Sequence, residues 1–452
     1  MSLSSDAIES DAVHLQDIDV DTLDEGRVAV TDALDQQPTA TSDATGETSP
    51  AVAETSVAPA TTPRWRSWMR PWMEPWVRSA KVAAAIWVAA GLAYCMATFY
   101  VWRIADPQRE LPHFSDLLST WYRFDTIYYV RIAEDGYLYN PFAAAFYPLY
   151  PFLIKITNPI LPGQGLVAAI AVSVTCAFVT LVMLHRLVDE EFGDKIASRT
   201  VFYMAAFPTG FFLFAGYNES LYIALAIISL YAARKGHFWI ASAAAALAGS
   251  TRLFGVLLAA PLVYEYMRQR GWSLRKIRWD AVSFLLVPSG VVAFAIFCKI
   301  KLGDWLAFSH AQAGWKRTYG WPGEPIWKTL KQLNESPILK DWRLLGIFEL
   351  TVMVGAIVLL ILAVWGPWKF RRDQYYLLVY TAVPLLLFSC TMAGWPHYLM
   401  SAPRVALEWF PLFVIIGMMG ARRGFERIYL FVALMAQALM LAPILLKLQF
   451  VA

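Results

Sequence analysis

The chain has 452 residues, 58% of them apolar and 16% charged, against about 25% charged in an ordinary soluble domain. This excludes a soluble globule and predicts an integral membrane protein. Residues 1–63 hold 13 of the 35 acids and one of the 38 bases, so this stretch nets −12 and the remainder +15. The bases of the remainder fall in short clusters between long apolar runs, which the positive-inside rule explains without nucleic acid. Cys95, Cys176, Cys298 and Cys390 all lie within apolar runs and show no paired spacing, so neither a disulfide framework nor a zinc site is indicated.

In chain order, residues 1–63 are rich in Asp, Ser, Thr, Ala and Pro and contain no aromatic residue. Such a composition cannot offset the entropy of ordering, and a disordered acidic cytoplasmic tail is expected. Residues 64–81 interleave Arg64, Arg66, Arg70, Arg78 and Lys81 with Trp65, Trp68, Trp72 and Trp76, a basic, Trp-rich interfacial anchor. A span needs roughly 20 apolar residues. Candidate windows lie near 82–102, 164–185, 198–214, 217–233, 238–250, 252–267, 279–298, 345–365, 375–391, 401–419 and 427–446. These are about 11 transmembrane helices, with a range of 9–12, since 238–250 and 252–267 also read as one broken helix. Bases cluster in alternate loops, at 186–199, 234–235, 268–278, 369–372 and 422–427. That alternation predicts a cytoplasmic N-terminus, an odd number of spans and an outward C-terminus.

Two outer segments, 103–163 and 299–344, are too long to be simple connectors, and long loops are often functional. In the first, Trp121, Phe124, Tyr128 and Ile132 recur at helical spacing. Asp125 would then sit among rings at the membrane interface, where a carboxylate can take the proton of an incoming hydroxyl as a general base. Spacing alone equally allows a structural pair with Arg123, Arg131 or a neighbouring helix. Farther on, Ala145-Phe146-Tyr147-Pro148-Leu149-Tyr150-Pro151 is stiff and amphipathic, suited to a re-entrant or interface-parallel element.

The order Arg123-Phe124-Asp125, Tyr129, Arg131-Ile132-Ala133, Gly136-Tyr137 and Ala145 through Pro151 resembles the first-loop signature of the PIG-V type mannosyltransferases, the GPI mannosyltransferase 2 family. Asn218-Glu219-Ser220-Leu221, Thr251-Arg252-Leu253-Phe254-Gly255, Gln312 through Trp315 to Arg317, Pro403-Arg404 and Phe410-Pro411 extend the similarity over residues 80–420. Phe124 stands where the family usually has Trp.

The resemblance implies an all-α polytopic enzyme of GT-C fold occupying 82–452, with loops 103–163 and 299–344 forming the active-site face. It implies inverting transfer of mannose from a polyprenyl (dolichyl-like) phosphate to a lipid-, glycan- or protein-linked hydroxyl on the extracytoplasmic face. Asp125 would be the catalytic base. Arg252, Arg404 and Arg317 would bind the donor phosphate, because a guanidinium grips phosphate oxygens bidentately. Glu219, Arg123, Tyr128, Tyr129, Gln312, Trp315, His310 and His397 are acceptor-side or supporting candidates; Glu219 alternatively pairs with Arg252, and the histidines alternatively bond locally. No metal site and no cofactor beyond the lipid-linked sugar are expected; a divalent metal is not required.

The acidic tail and the lack of a terminal retrieval signal point to a bacterial cell membrane, with the endoplasmic reticulum as the alternative. A transporter or flippase of lipid-linked sugars, or a non-catalytic assembly subunit, is the competing reading. Internal repeats, which transporters often carry, are not evident. Acceptor identity and oligomeric state are not encoded in any pattern described above.

Overall fold

The computed structural model describes residues 64–105, 114–161, 165–335 and 341–446; the acidic stretch 1–63 lies outside them. The first helix, α1 (Arg64–Ala105), runs without a break from the Trp-rich anchor into the apolar segment. Its 42 residues extend about 63 Å, roughly twice the hydrocarbon thickness of a bilayer. The anchor and the first span are therefore one rod.

Three helices follow: α2 (Asp125–Asp135), α3 (Leu149–Thr157) and α4 (Gly165–Phe192). Next come α5 (Asp194–Ala205), α6 (Glu219–Arg234), α7 (Phe238–Gly249), α8 (Ala259–Gln269) and α9 (Ser289–Leu302). The last five are α10 (Glu324–Glu335), α11 (Asp341–Trp365), α12 (Tyr375–Ser389), α13 (Pro411–Met419) and α14 (Arg423–Leu445). Short 3-10 turns join several of them. A two-residue antiparallel ladder pairs β1 (Thr318–Tyr319) with β2 (Thr391–Met392), with Thr318 opposite Met392.

Every predicted apolar window contains helix, but among the described residues only five helices have the length and composition to cross a membrane: Met73–Ile104, Gly165–Phe192, Trp279–Leu302, Arg343–Trp365 and Arg423–Leu445. A sixth is possible if Ala402–Glu408 and Pro411–Met419, bent by 88°, form one broken span. The remaining windows hold helices of 11 to 16 residues. Interior helices need not reach across, because backbone that leaves the helical path is tolerated where protein surrounds it.

The core gathers around α4, α6, α7 and α13, where Leu181, Leu184, Ile223, Ile227, Ala245 and Ile415 are fully buried. Small residues let these helices approach closely. A methyl group on Gly290 would lie 2.1 Å from the Ala246 carbonyl oxygen, and one on Gly255 would lie 2.1 Å from the Gly249 nitrogen. This second contact folds the 3-10 turn Leu253–Leu258 back on the end of α7. Arg252, just ahead of the turn, is thereby fixed in place.

Candidate active site

The breaks after α5, α7 and α12 all border one cavity of about 570 Å³. The first long loop contributes Asp125, Tyr129, Phe146 and Tyr147, and the second contributes Phe308, His310, Gln312, Trp315 and Arg317. The turns at 251–254 and 400–405 complete it with Arg252 and Arg404. Segments far apart in sequence thus converge, as the two-loop reading expects.

Asp125 opens α2, where the helix N-terminus favours a carboxylate. Phe124, just before it, has φ +43°, a left-handed value that survives only where the surroundings over-determine it. The Arg404 guanidinium donates from Nη1 to Asp125 Oδ2 at 2.6 Å. Of the two roles left open for Asp125, the pairing is thus realised, with Arg404 of a neighbouring helical turn and not with Arg123 or Arg131. The carboxylate is still 18% exposed and still lines the cavity.

Arg404 is buried, lies 4.8 Å from the centre of the Tyr217 ring and donates from Nε to Glu219 Oε1. The same oxygen accepts from Arg252 Nη2 at 2.5 Å. Arg252 also donates from Nε to Asn218 Oδ1 at 3.1 Å, and its Nη1 is ion-paired with Glu408. The result is an alternating chain of charge, Asp125, Arg404, Glu219, Arg252, Glu408, with three carboxylates and two guanidinia. Its formal sum is −1.

Arg317 supplies the missing positive charge. It lines the same cavity, its Nε is buried with no hydrogen-bond partner, and it forms no ion pair among the described residues. Burial, reinforced by Arg404, holds its guanidinium below its ordinary value. An unpaired charge facing a cavity is costly unless a ligand meets it.

Interlocking backbone contacts explain why these residues come in motifs. Asn218 Nδ2 donates to the Thr251 carbonyl at 2.8 Å, which ties the Asn218-Glu219 pair to the Thr251-Arg252 pair. Thr209 Oγ1 donates to the Pro403 carbonyl at 2.6 Å, holding the residue before Arg404. The Leu149 N–H donates to the Ser250 carbonyl at 2.9 Å, joining the first loop to the end of α7.

The other candidates divide into wall and support. Tyr128 does not line the cavity; it stacks on Phe146 with centroids 4.6 Å apart and 15° between planes. Trp315 meets Phe146 edge-on at 5.7 Å, so Tyr128, Phe146 and Trp315 join the two long loops. Gly314 permits this, since a Cβ there would come 2.7 Å from the Phe142 ring. Tyr129, buried, stands edge-on to Phe146 and Tyr150. Tyr150 is fully buried, its hydroxyl 2.9 Å from the Ala169 carbonyl, so in the Ala145–Pro151 stretch the rings of Phe146 and Tyr147 form wall and that of Tyr150 forms core.

Glu219 is sealed behind the wall with Oε2 unpartnered; it holds the two arginines and does not itself line the cavity. Arg123 lies outside the lining, with Nε and Nη2 buried and unpartnered and burial lowering its pKa. At the rim, His310 Nδ1 is 2.6 Å from Asp304 Oδ2. The Leu306 N–H and His310 together draw Asp304 below the usual carboxylate range. His397 stands off the cavity with Nδ1 buried and unpartnered, and burial pushes its pKa down.

Sequence reasoning missed Glu408. The signal was present: it is the sole acidic residue in the apolar run from Ala402 to Met419, and an ionisable group inside such a run marks a functional site by default. Among the described residues, no three or more of His, Cys, Asp and Glu stand together in a way that could hold a metal ion.

Residues 108–304 match the model of a family described as Mannosyltransferase (PIG-V). GPI mannosyltransferase 2 of Yarrowia lipolytica (strain CLIB 122 / E 150) is 28% identical over 205 residues, 45% of this chain and 55% of that protein. GPI alpha-1,6-mannosyltransferase 2 of Cricetulus griseus is 29% identical over 162 residues, 34% of this chain and 33% of that one. The chain thus spans about half the length of the first relative and a third of the second. The solved structure of ArnT from Cupriavidus metallidurans bound to undecaprenyl phosphate aligns with TM-score 0.47 and 15% identity over 79% of this chain and 64% of that one. The stretch that carries Asp125, Glu219 and Arg252 is therefore similar to the PIG-V mannosyltransferases, while Arg317, Arg404 and Glu408 lie beyond the residues that the family model matches.

Proposed function

We propose that this protein is a polytopic membrane glycosyltransferase of GT-C type that moves mannose, with inversion, from a polyprenyl-phosphate donor to an acceptor hydroxyl. The observation that carries the reading is a carboxylate, Asp125, sharing one cavity with three guanidinia, one of which, Arg317, has no anionic partner among the described residues. Similarity to the PIG-V mannosyltransferases supports mannose as the sugar. The loop charges, few on one side and clustered on the other, favour an extracytoplasmic site.

The chemistry fits these groups. Arg404 occupies Asp125 Oδ2, which leaves Oδ1 to receive the acceptor proton as the hydroxyl oxygen attacks the anomeric carbon. The bond from that carbon to the phosphate oxygen breaks on the opposite face. A phosphodiester with one negative charge becomes a monoester with two, so the leaving group needs cations and no proton. Arg317, with all five N–H donors uncommitted to protein carboxylates, is the first contact for the phosphate. Arg404 and Arg252 are already held in place and add field without further ordering cost.

The apolar wall of Phe146, Phe254, Phe308 and Leu387 suits the first prenyl units or a lipid-linked acceptor. A bacterial cell membrane is the setting we favour, with the acceptor a membrane glycolipid, a cell-wall glycan or a protein.

The test is transfer of labelled mannose from polyprenyl-phosphate mannose by membranes containing the wild type or Asp125→Asn at matched protein level. Wild-type transfer that vanishes in the variant supports a base-catalysed transferase. Equal transfer by both removes Asp125 as the base, and no transfer by the wild type removes this donor.

A further inference from the structure

Glu408 is at odds with ordinary economy in a buried site. Its carboxylate is sealed from solvent, its Oε1 pairs with Arg252, and its Oε2 finds no hydrogen-bond partner. A buried carboxylate with unused valence is a stability loss that a neutral residue of similar shape would avoid.

The local fold does not depend on it. The backbone carbonyl of Glu408 accepts from the Tyr380 hydroxyl at 2.9 Å, and the next two residues, Trp409 and Phe410, are fully buried anchors. Arg252 does not depend on it for position either. Asn218 takes its Nε and Glu219 its Nη2, so two of its three contacts would survive the loss of Glu408. What Glu408 alone contributes is negative charge on Arg252 Nη1, from a position outside the cavity lining.

We propose that Glu408 is a counter-charge acting through Arg252, which weakens the site's hold on lipid phosphate enough for the product to leave. This inference rests on the glycosyltransferase reading above. The reaction turns a monoanion into a dianion, so cations arranged to favour the leaving group also favour its retention. With Glu408 ionised the alternating chain sums to −1, and with Arg317 the site is neutral. Without that charge the site would carry +1 toward a product that carries −2.

Across one guanidinium, roughly 8 Å at an effective dielectric near 20, a single charge changes the affinity of a monoanion about thirtyfold, and screening at the open mouth reduces this to about tenfold. The effect on the dianion is the larger one. Product release is a common limit on turnover in well-evolved enzymes, which makes it a natural point of adjustment.

The test uses the full chain in lipid nanodiscs and compares wild type with Glu408→Gln, which keeps an oxygen for Arg252 Nη1 and removes the charge. Two quantities are read: inhibition of mannosyl transfer by added polyprenyl phosphate, and the melting-temperature rise that polyprenyl phosphate produces in the absence of donor. The expected result is about a hundredfold stronger inhibition by the dianionic product, the square of the monoanion's tenfold, with a larger melting-temperature rise, and kcat and donor KM both lowered. Unchanged or weaker product inhibition with a raised KM would overturn the proposal and make Glu408 a holder of Arg252. Glu408→Asp, which retains the charge, should behave like the wild type; if it behaves like the Gln variant, charge is not the cause. A wild type that polyprenyl phosphate neither inhibits nor stabilises would overturn the glycosyltransferase reading, and this inference with it.

Discussion

Helix α6 carries a knot of charge at each end, about 22 Å apart, and the two are built differently. At its C-terminus Arg234 reaches Glu191 at 2.5 Å, Glu265 at 3.5 Å and Asp373 at 2.8 Å. Arg268 closes on Glu265 at 2.6 and 2.7 Å, and Gln374 takes the Glu191 carbonyl at 2.8 Å. No side-chain oxygen of Glu191, Glu265 or Asp373 is buried without a partner among the described residues. At the N-terminus the residue types are the same, but Glu219 Oε2, Glu408 Oε2 and Arg317 Nε are all left over. A saturated polar network rigidifies a fold; one with unspent donors beside a cavity is waiting for a ligand. Charge in the interior therefore does not by itself indicate function, whereas unpaired charge facing space does.

That contrast is breakable, and the largest effect should come from the open knot. Asp125→Asn is expected to lower mannosyl transfer by about 10²–10⁴-fold, the usual worth of a general base, while the thermal melt of the purified protein stays within a few degrees of the wild type. The closed knot should respond the other way. Arg234→Gln takes from buried Glu191 its close cation, while Glu265 keeps Arg268, and should lower stability by about 3–5 kcal/mol, read in a denaturation series. The fraction still folded should be stabilised by lipid phosphate as the wild type is.

Gly255→Ala sharpens the comparison at intermediate size. Its new methyl would lie 2.1 Å from a backbone nitrogen that cannot swing aside. A destabilisation of about 1–3 kcal/mol is expected, together with lower kcat/KM as Arg252 is displaced from its three acceptors.

The smallest effect belongs to His397, whose pKa burial depresses. A group depressed in the folded state contributes stability above its unfolded pKa, about 6.5, and loses it as pH falls toward the folded value. Wild type should thus lose more melting temperature between pH 7.5 and pH 5 than His397→Asn, and equal losses would remove His397 as a source of acid sensitivity.

Much of the site was legible because its residues sit in local motifs with local causes. Asp125 falls in a stretch whose helical spacing is visible in the sequence, whereas Asn218-Glu219, Thr251-Arg252, and Trp315 with Arg317 in a long loop stand out through the resemblance to the PIG-V type mannosyltransferases. Their convergence on one cavity follows from placing both long loops at the same end of the bundle. What was not legible is the pairing. Arg404 and Asp125 are 279 residues apart, and nothing local to either says that one holds the other. Glu408 was hidden because a single acid in an apolar run is easily read as part of a span.

Helix lengths were also beyond reach. The Ala-rich run 238–249 and the run 375–389 are as apolar as membrane spans, yet they are short helices, the second mostly buried and the first exposing Trp239, Ile240 and Leu247 on one side. Apolarity records that a helix avoids water; it does not record whether lipid or protein provides the alternative.

The central claim is that Arg317 is the open knot's unsatisfied cation and the first ligand of the lipid phosphate. Its most direct test is the melting-temperature rise produced by polyprenyl phosphate in the full chain, wild type against Arg317→Gln. The account predicts that the variant melts at or slightly above the wild-type temperature without ligand, since an unpaired buried charge has been removed, and that the ligand-induced rise is largely lost. A variant that melts normally and keeps the full rise would contradict it.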